Sequence, residues 1–318
     1  MKRAVPYAVG AILFFLSLFA GFWMIHAGLY GWTLFAVGPS LLGAIACWLV
    51  RPESARRAIS TGMLCTFALL LFFFLLGWEG IICILMAAPL AVPLGALGGW
   101  LVYRARDRRG KIETSGVAML LVLSPASLLW DVKAPPAVFE VRTAIEIAAT
   151  PEQVWKHVVT FSELPEPTEW YFRAGIAYPQ RARIEGSGPG AVRYCEFSTG
   201  PFVEPIDVWD EPRLLRFHVT SNPPPMREQS IYSKLEPKHL HGYLVSEQGQ
   251  FLLTPLANGH TRLEGTTRYR HGLWPAQYWR LWSDAIIHRI HLRVLNQIRV
   301  LAEADATSTA QTPSKSTK

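Results

Sequence analysis

Three residues near the C-terminus, Asp284, His288 and His291 in WSDAIIHRIHLRVL, have types and spacing that suit chemistry. Steps of four and then three residues set them on one side of a helix. A carboxylate with two imidazoles serves three purposes. It forms a polar flank, with Asp284 accepting hydrogen bonds from His288 or from loop backbone. It orients the polar end of a ligand in an otherwise apolar cavity. It binds a metal once a further ligand arrives, since a catalytic zinc takes three protein ligands plus water and a structural zinc takes four. His239 and His241 in KHLHG are the candidate additions if the long loop that carries them folds over the helix. The set lacks the HExxH register and any cysteine ligand, so no metal is favoured and no cofactor is implied. In an enzyme, His288 or His291 would act as general acid or base, with Asp284 setting its tautomer.

The pattern predicts the carrying helix from about Pro275 to Ala304. At 100° per residue, Trp279, Trp282, Ile286, Ile290, Val294 and Leu301 form an apolar stripe expected to face a sheet. Asp284, His288, His291 and Leu295 form a second stripe, offset by roughly 100–150°. Most elements upstream read as strands. FEVRTAIEIAA, residues 139–149, alternates with a period of two and buries one face. TPEQVWKHVVTF starts a helix in which Thr150 is the N-cap, Pro151 opens the first turn and Gln153 completes a capping box. A second short helix is expected within Glu163–Ala174. RARIEG and AVRYCEFST flank GSGPG, residues 186–190. A phosphate-binding loop joins a strand to a helix, whereas here strand follows strand, so a glycine-rich hairpin is expected.

Tyr194, Trp209, Phe217, Tyr269, Trp274 and Trp282 are candidate cavity-lining aromatics. Glu196, Glu204, Asp207 and Glu264 lie on strands and are expected to face solvent, as are Arg268 and Arg270. The proline-rich stretch 222–242 has the length of a binding loop, and Pro223–Leu240 is a candidate lid. No nucleophile elbow, Walker loop or dinucleotide fingerprint is present. Cys195 stands alone in its strand and is expected in the core, and the other cysteines, Cys47, Cys65 and Cys83, lie in apolar runs. Without paired spacing they support neither a structural zinc site nor a disulfide framework. The tail from residue 305 is polar and expected to be disordered.

The first 131 residues are of another kind. Tyr7–Ile25, Leu29–Val50, Ile59–Trp78 and Ile81–Tyr103 are apolar runs long enough to span a bilayer, and Ser115–Trp130, with Pro125, is a shorter fifth. About five spans are therefore expected, followed by a linker at 132–137 and a soluble domain at 138–304. The first run is too long for a signal peptide and lacks a small-residue cleavage site. MKR, RPESARR and RARDRRGK are basic, whereas the intervening HAG and WEG carry no Lys or Arg. Basic loops stay in the cytoplasm, which puts the soluble domain outside the plasma membrane if the fifth run crosses. The net charge of +7 divides into +5 up to Asp131 and +2 beyond it, so it reports membrane orientation and not nucleic-acid binding. No ionisable residue lies deep in a run, as pumps and transporters require. GALGG, residues 95–99, has small-residue spacing suited to close helix packing.

Strand, helix pair, antiparallel strands and a long closing helix describe an α+β domain in which a curved sheet grips one helix. This order, with ATPEQVWKHV, GYLVSEQGQFLL, LEGTTRYR and YWRLWSDAIIHRIHLRVLNQI, resembles the helix-grip fold of the START/Bet v 1-like (SRPBCC) superfamily, which includes polyketide cyclase/dehydrase and lipid-transport proteins. The resemblance spans roughly Val138–Glu303 behind several membrane spans. It implies binding of a lipid or another apolar small molecule in a cavity between sheet and helix. It fixes no activity: a cyclase or hydrolase, or an interaction module without a ligand, is also compatible.

Overall fold

The structure is a computed structural model that describes residues 4–109, 113–161, 163–232 and 235–310. The chain forms two compact units. The helical unit comprises residues 1–136 together with 228–240 and 272–279, and the sheet unit comprises 137–227, 241–271 and the chain from Arg280 onward.

The helical unit contains α1 (Ala4–Ala27), α2 (Gly38–Val50), α3 (Ala55–Leu75), α4 (Ile81–Arg109) and α5 (Glu113–Lys133). A π-helical turn, Thr33–Val37, leads into α2, so Pro39 falls in the first turn of a helix, where its missing N–H has no partner to lose. Pro89 and Pro93 lie inside α4 and Pro125 inside α5, and none of them ends its helix. Among the described residues, three segments are long and apolar enough to cross a membrane: Thr33–Val50, Ala55–Leu75 and Ile81–Arg106. The expectation of about five spans is thus met for three; α1 and α5 are helices that fall outside that set.

Small residues set the spacing between these helices. A Cβ added to Gly43 of α2 would lie 1.9 Å from the Gly95 carbonyl oxygen of α4, and one added to Gly62 of α3 would lie 2.2 Å from it. The GALGG segment therefore packs α4 against its neighbours within the chain.

The sheet unit begins at β1 (Ala137–Ile147), three residues after α5. It continues through α6 (Pro151–Val159), α7 (Trp170–Arg173), β2 (Pro179–Glu185), β3 (Val192–Phe197), β4 (Gly200–Asp210), β5 (Leu214–His218), β6 (Leu244–Pro255) and β7 (Thr261–His271). The seven strands form one antiparallel sheet in the order β1-β7-β6-β5-β4-β3-β2. The capping box is present, with the Thr150 N–H donating to Gln153 Oε1 at 3.0 Å. GSGPG joins β2 to β3 as a hairpin, and Gly186, Gly188 and Gly190 all take positive φ, which favours glycine there. The helix expected within Glu163–Ala174 is reduced to the single turn α7, in a segment rich in proline.

The closing helix α8 (Ala276–Ala310) runs past Ala304 and six residues into the expected disordered tail; residues 311–318 lie outside the described residues. Its buried face in the sheet unit is Ser283, Ile287, Val294, Leu295, Ile298 and Ala302. That face lies roughly 90° round the helix from the apolar stripe read in the sequence. The sequence stripe was drawn through Trp282 and Ile286, which are only half-buried; it left out Ser283, Ile287, Ile298 and Ala302, and Leu295 was placed on the second stripe. Val154, Trp155 and Val158 of α6 join Val294, Leu295 and Ile298 of α8 and Ile147, Leu215, Leu253 and Leu263 of the sheet in one core.

Candidate functional site

The sheet unit holds a cavity of about 130 Å³ between α8 and the concave side of β3–β7. Its apolar walls come from Phe197, Phe202, Phe217 and Phe251 on the sheet and Ile287, Ile290 and Val294 on α8. Pro223, Pro224 and Pro225 close part of it. Two polar features interrupt this lining.

The first is a buried ion pair. Strand alternation turns Arg193, Cys195 and Phe197 of β3 to the same side, and the β3–β4 register sets Arg193 directly opposite Glu204. The Arg193 guanidinium donates to the Glu204 carboxylate, and both side chains are buried. Phe161, Phe217 and Phe251 surround the guanidinium carbon at 5.7, 5.4 and 5.4 Å. Burial raises the Glu204 carboxyl above its ordinary value, and Arg193 pulls it back down. Arg193 Nε is buried without a hydrogen-bond acceptor. Burial also pushes the Cys195 thiol up to about 12, which leaves it an inert core group.

The second is a threonine–histidine network. His291 Nδ1 lies 3.1 Å from the Thr143 hydroxyl, and its Nε2 lies 2.8 Å from the Thr267 hydroxyl. Thr143 also pairs with His288 Nδ1 at 2.8 Å. Burial, and second the charge of His288, lowers His291 to about 4, so its imidazole is neutral at ordinary pH. The adjacent Thr266 hydroxyl lines the cavity and is buried without a hydrogen-bond partner.

The residues singled out in the sequence are therefore dispersed. Phe217 and His291 line the cavity; Asp284, His288, Tyr194, Trp209, Tyr269, Trp274 and Trp282 are not among its lining. Asp284 does not take its hydrogen bonds from His288 or from loop backbone. It accepts from the Tyr269 hydroxyl at 2.6 Å and from Arg280 Nε at 2.8 Å, because β7 and the preceding turn of α8 reach it first. Burial and then the Asp284 hydrogen bond raise the Tyr269 phenol. Tyr194 points to the opposite side of β3 from Cys195, beneath Arg183 at 4.0 Å. Trp209 packs edge-on to Trp155, at 5.9 Å between ring centroids. Trp274 belongs to the helical unit, where it meets Trp130.

Among the described residues, Asp284, His288 and His291 form no metal-like group with His239 or His241. His239 is buried in the helical unit and His241 is exposed. Of the described residues of the candidate lid Pro223–Leu240, Pro223–Pro225 line the cavity, and residues 228–240 belong to the helical unit. Glu204, expected at the surface, is buried; Glu196, Asp207 and Glu264 keep more exposed partners in Arg181, His218 and Arg262. Sequence reading missed Arg193 and Thr266. The signal that could have found Arg193 is its shared parity with Cys195, although an arginine in a strand ordinarily faces water.

Residues 138–270 match the family profile described as polyketide cyclase / dehydrase and lipid transport. No match is found among curated proteins. Solved structures of similar fold include a norcoclaurine synthase from Thalictrum flavum, 11% identical, covering 55% of this chain and 99% of that one with a TM-score of 0.36. The Zhui aromatase/cyclase from Streptomyces sp. R1128 is 14% identical over 55% of this chain and 100% of its own, with a TM-score of 0.36. Protein NE0264 from Nitrosomonas europaea is 15% identical over 53% and 96%, with a TM-score of 0.33. Residues 138–270 are thus similar to the polyketide cyclase/dehydrase and lipid-transport family, and apolar helices precede them in the chain.

Proposed function

We propose that the sheet unit binds a small, mostly apolar molecule carrying one hydrogen-bonding group, and that the helical unit anchors it in the plasma membrane. One observation carries this reading. The cavity combines aromatic and aliphatic walls with two buried polar atoms that lack partners, Arg193 Nε and Thr266 Oγ1. Such atoms cost about 1–3 kcal/mol each when left unsatisfied, and a ligand acceptor facing the arginine would recover that. Apolar burial would supply most of the affinity, at about 25 cal/mol per Å². A volume of about 130 Å³ suits one ring or the end of an acyl chain. A whole lipid would require the Pro223–Pro225 wall to move.

Catalysis by the polar stripe has less support. Both nitrogens of His291 are engaged by threonine hydroxyls, and both oxygens of Asp284 are engaged by Tyr269 and Arg280. A general base would first have to break one of these bonds.

Charge distribution supports an extracytoplasmic sheet unit. The Asp131 carboxylate at the end of α5 accepts from Trp32 and Thr33 N–H groups, both at 2.8 Å. The chain therefore leaves the helical unit beside the first loop, which has no Lys or Arg, at the end opposite Arg51 and Arg57.

Native mass spectrometry of the full chain in detergent tests the binding reading. The expected result is a small organic adduct that is retained by wild type, lost on Ile290→Trp and weakened on Thr266→Val. Absence of an adduct, together with no uptake of an apolar fluorescent dye that Ile290→Trp blocks, would overturn it.

A further inference from the structure

The helical unit contains a second polar constellation that ligand binding in the sheet unit does not use. Glu79 precedes α4, Cys83 lies in its first turn, and His239 lies in the one-turn helix Lys238–Leu240. Their residues are 4%, 8% and 6% exposed. One potential ligand atom from each lies within 4.8 Å of the others. Glu79 Oε1 accepts from the Tyr30 hydroxyl at 2.7 Å. Glu79 Oε2 lies 3.3 Å from His239 Nδ1, yet neither that oxygen nor either imidazole nitrogen makes a sound hydrogen bond.

A fourth group completes the shell. The Glu228 side chain is fully buried, accepts from the Ile82 and Cys83 N–H groups at 3.1 and 2.9 Å, and lies 3.8 Å from His239 Nε2. Gly80 makes room for it, since a Cβ there would fall 2.1 Å from Glu228 Oε2. Two buried carboxylates and a thiol thus share one imidazole. A single protonated histidine cannot balance two carboxylates, and a buried charge without compensation is strongly unfavourable. A divalent cation compensates it and uses the unpartnered atoms.

We propose that Glu79, Cys83 and His239 bind a zinc-class divalent cation. Sulfur, imidazole and carboxylate together suit zinc, whose ligands sit about 2.0–2.3 Å from the metal. Atoms around such an ion lie about 3.3–3.8 Å apart in tetrahedral geometry, so small side-chain adjustments close the shell. Tyr30 orients Glu79 from outside that shell, and Glu228 either takes the fourth position or leaves it to water. Glu79 and Cys83 also line a mainly apolar cavity of about 400 Å³ between the helices, with Tyr30 and Phe35.

The test uses the full chain in detergent, stripped with a chelator and reloaded with Zn²⁺ or Co²⁺. We expect about one zinc per chain and, in the cobalt form, a thiolate-to-metal charge-transfer band. Cys83→Ser should abolish the band, His239→Gln should abolish stoichiometric binding, and Tyr30→Phe should weaken zinc about 10-fold or more. Uptake no greater than background, or a cobalt spectrum without the thiolate band, would overturn the site and leave an ion-paired helix cap. If the variants fail to keep wild-type helicity, the wild-type cobalt spectrum decides alone.

Discussion

At the scale of single residues, burial bears most directly on His291 and Arg193. His291 is held down to about 4 by burial and, second, by His288. In the unfolded chain it takes up a proton near 6.5. Its contribution to stability is therefore fully present above about 6.5, declines as the pH falls, and levels off below about 4. Thermal unfolding of the detergent-solubilised chain from pH 7.5 to 4 should show that decline, and His291→Gln should flatten it. Equal slopes for the two proteins would contradict the assignment. Arg193 and Glu204 make the complementary case. Removing one partner of a buried pair leaves a bare charge, so Arg193→Met should cost about 3–5 kcal/mol. Arg193→Met with Glu204→Leu should recover much of that, because no charge is left behind. A double variant as unstable as the single one would show that the guanidinium also supports the surrounding phenylalanines.

At the scale of elements, α4 and α8 show how much depends on small residues. In α4, a Cβ on Gly95 would meet Thr66 Oγ1 at 2.0 Å, while its own carbonyl closes on Gly43 and Gly62. Gly95→Leu should force the helices apart and lower the unfolding temperature of the helical unit. Leu97→Ala, at an exposed position two residues away, should leave it nearly unchanged. Equal effects would mean that the helices do not approach as closely as these contacts require. In α8, Ser283 and Ala302 lie on the buried face and Trp282 does not. Apolar residues occur on more than one side of α8, with Ile287, Leu295 and Ile298 on the buried face beside the half-buried Trp282 and Ile286, so periodicity alone did not fix which side meets the sheet.

At the scale of the whole molecule, topology joins the membrane reading to the ligand reading. A reporter active only outside the cytoplasm, fused after Lys133, should be active if α5 crosses the bilayer. Activity of a cytoplasm-only reporter at the same point would place the sheet unit, and the ligand it meets, inside. The two units also divide the chain unevenly, with residues 228–240 and 272–279 of the C-terminal half in the helical unit. Within the helical unit, that division sets His239 in the company of Glu79 and Cys83.

What could be read along the chain was whatever depends on local order. Hydropathy gave the apolar helices, alternation gave β1, the Thr150–Gln153 pair gave the start of α6, and strand following strand identified the glycine-rich hairpin. These signals arise among residues a few positions apart, where backbone geometry fixes which side chains are neighbours. The sites arise from pairings across long separations. Arg193 meets Glu204 through strand register, Asp284 meets Tyr269 across a helix–sheet contact, and Cys83 meets His239 over more than 150 residues. Local patterns carry no record of such partners. A buried arginine looks like a surface one and a metal-type cysteine looks like an apolar filler until packing removes water and shows what remains to satisfy them.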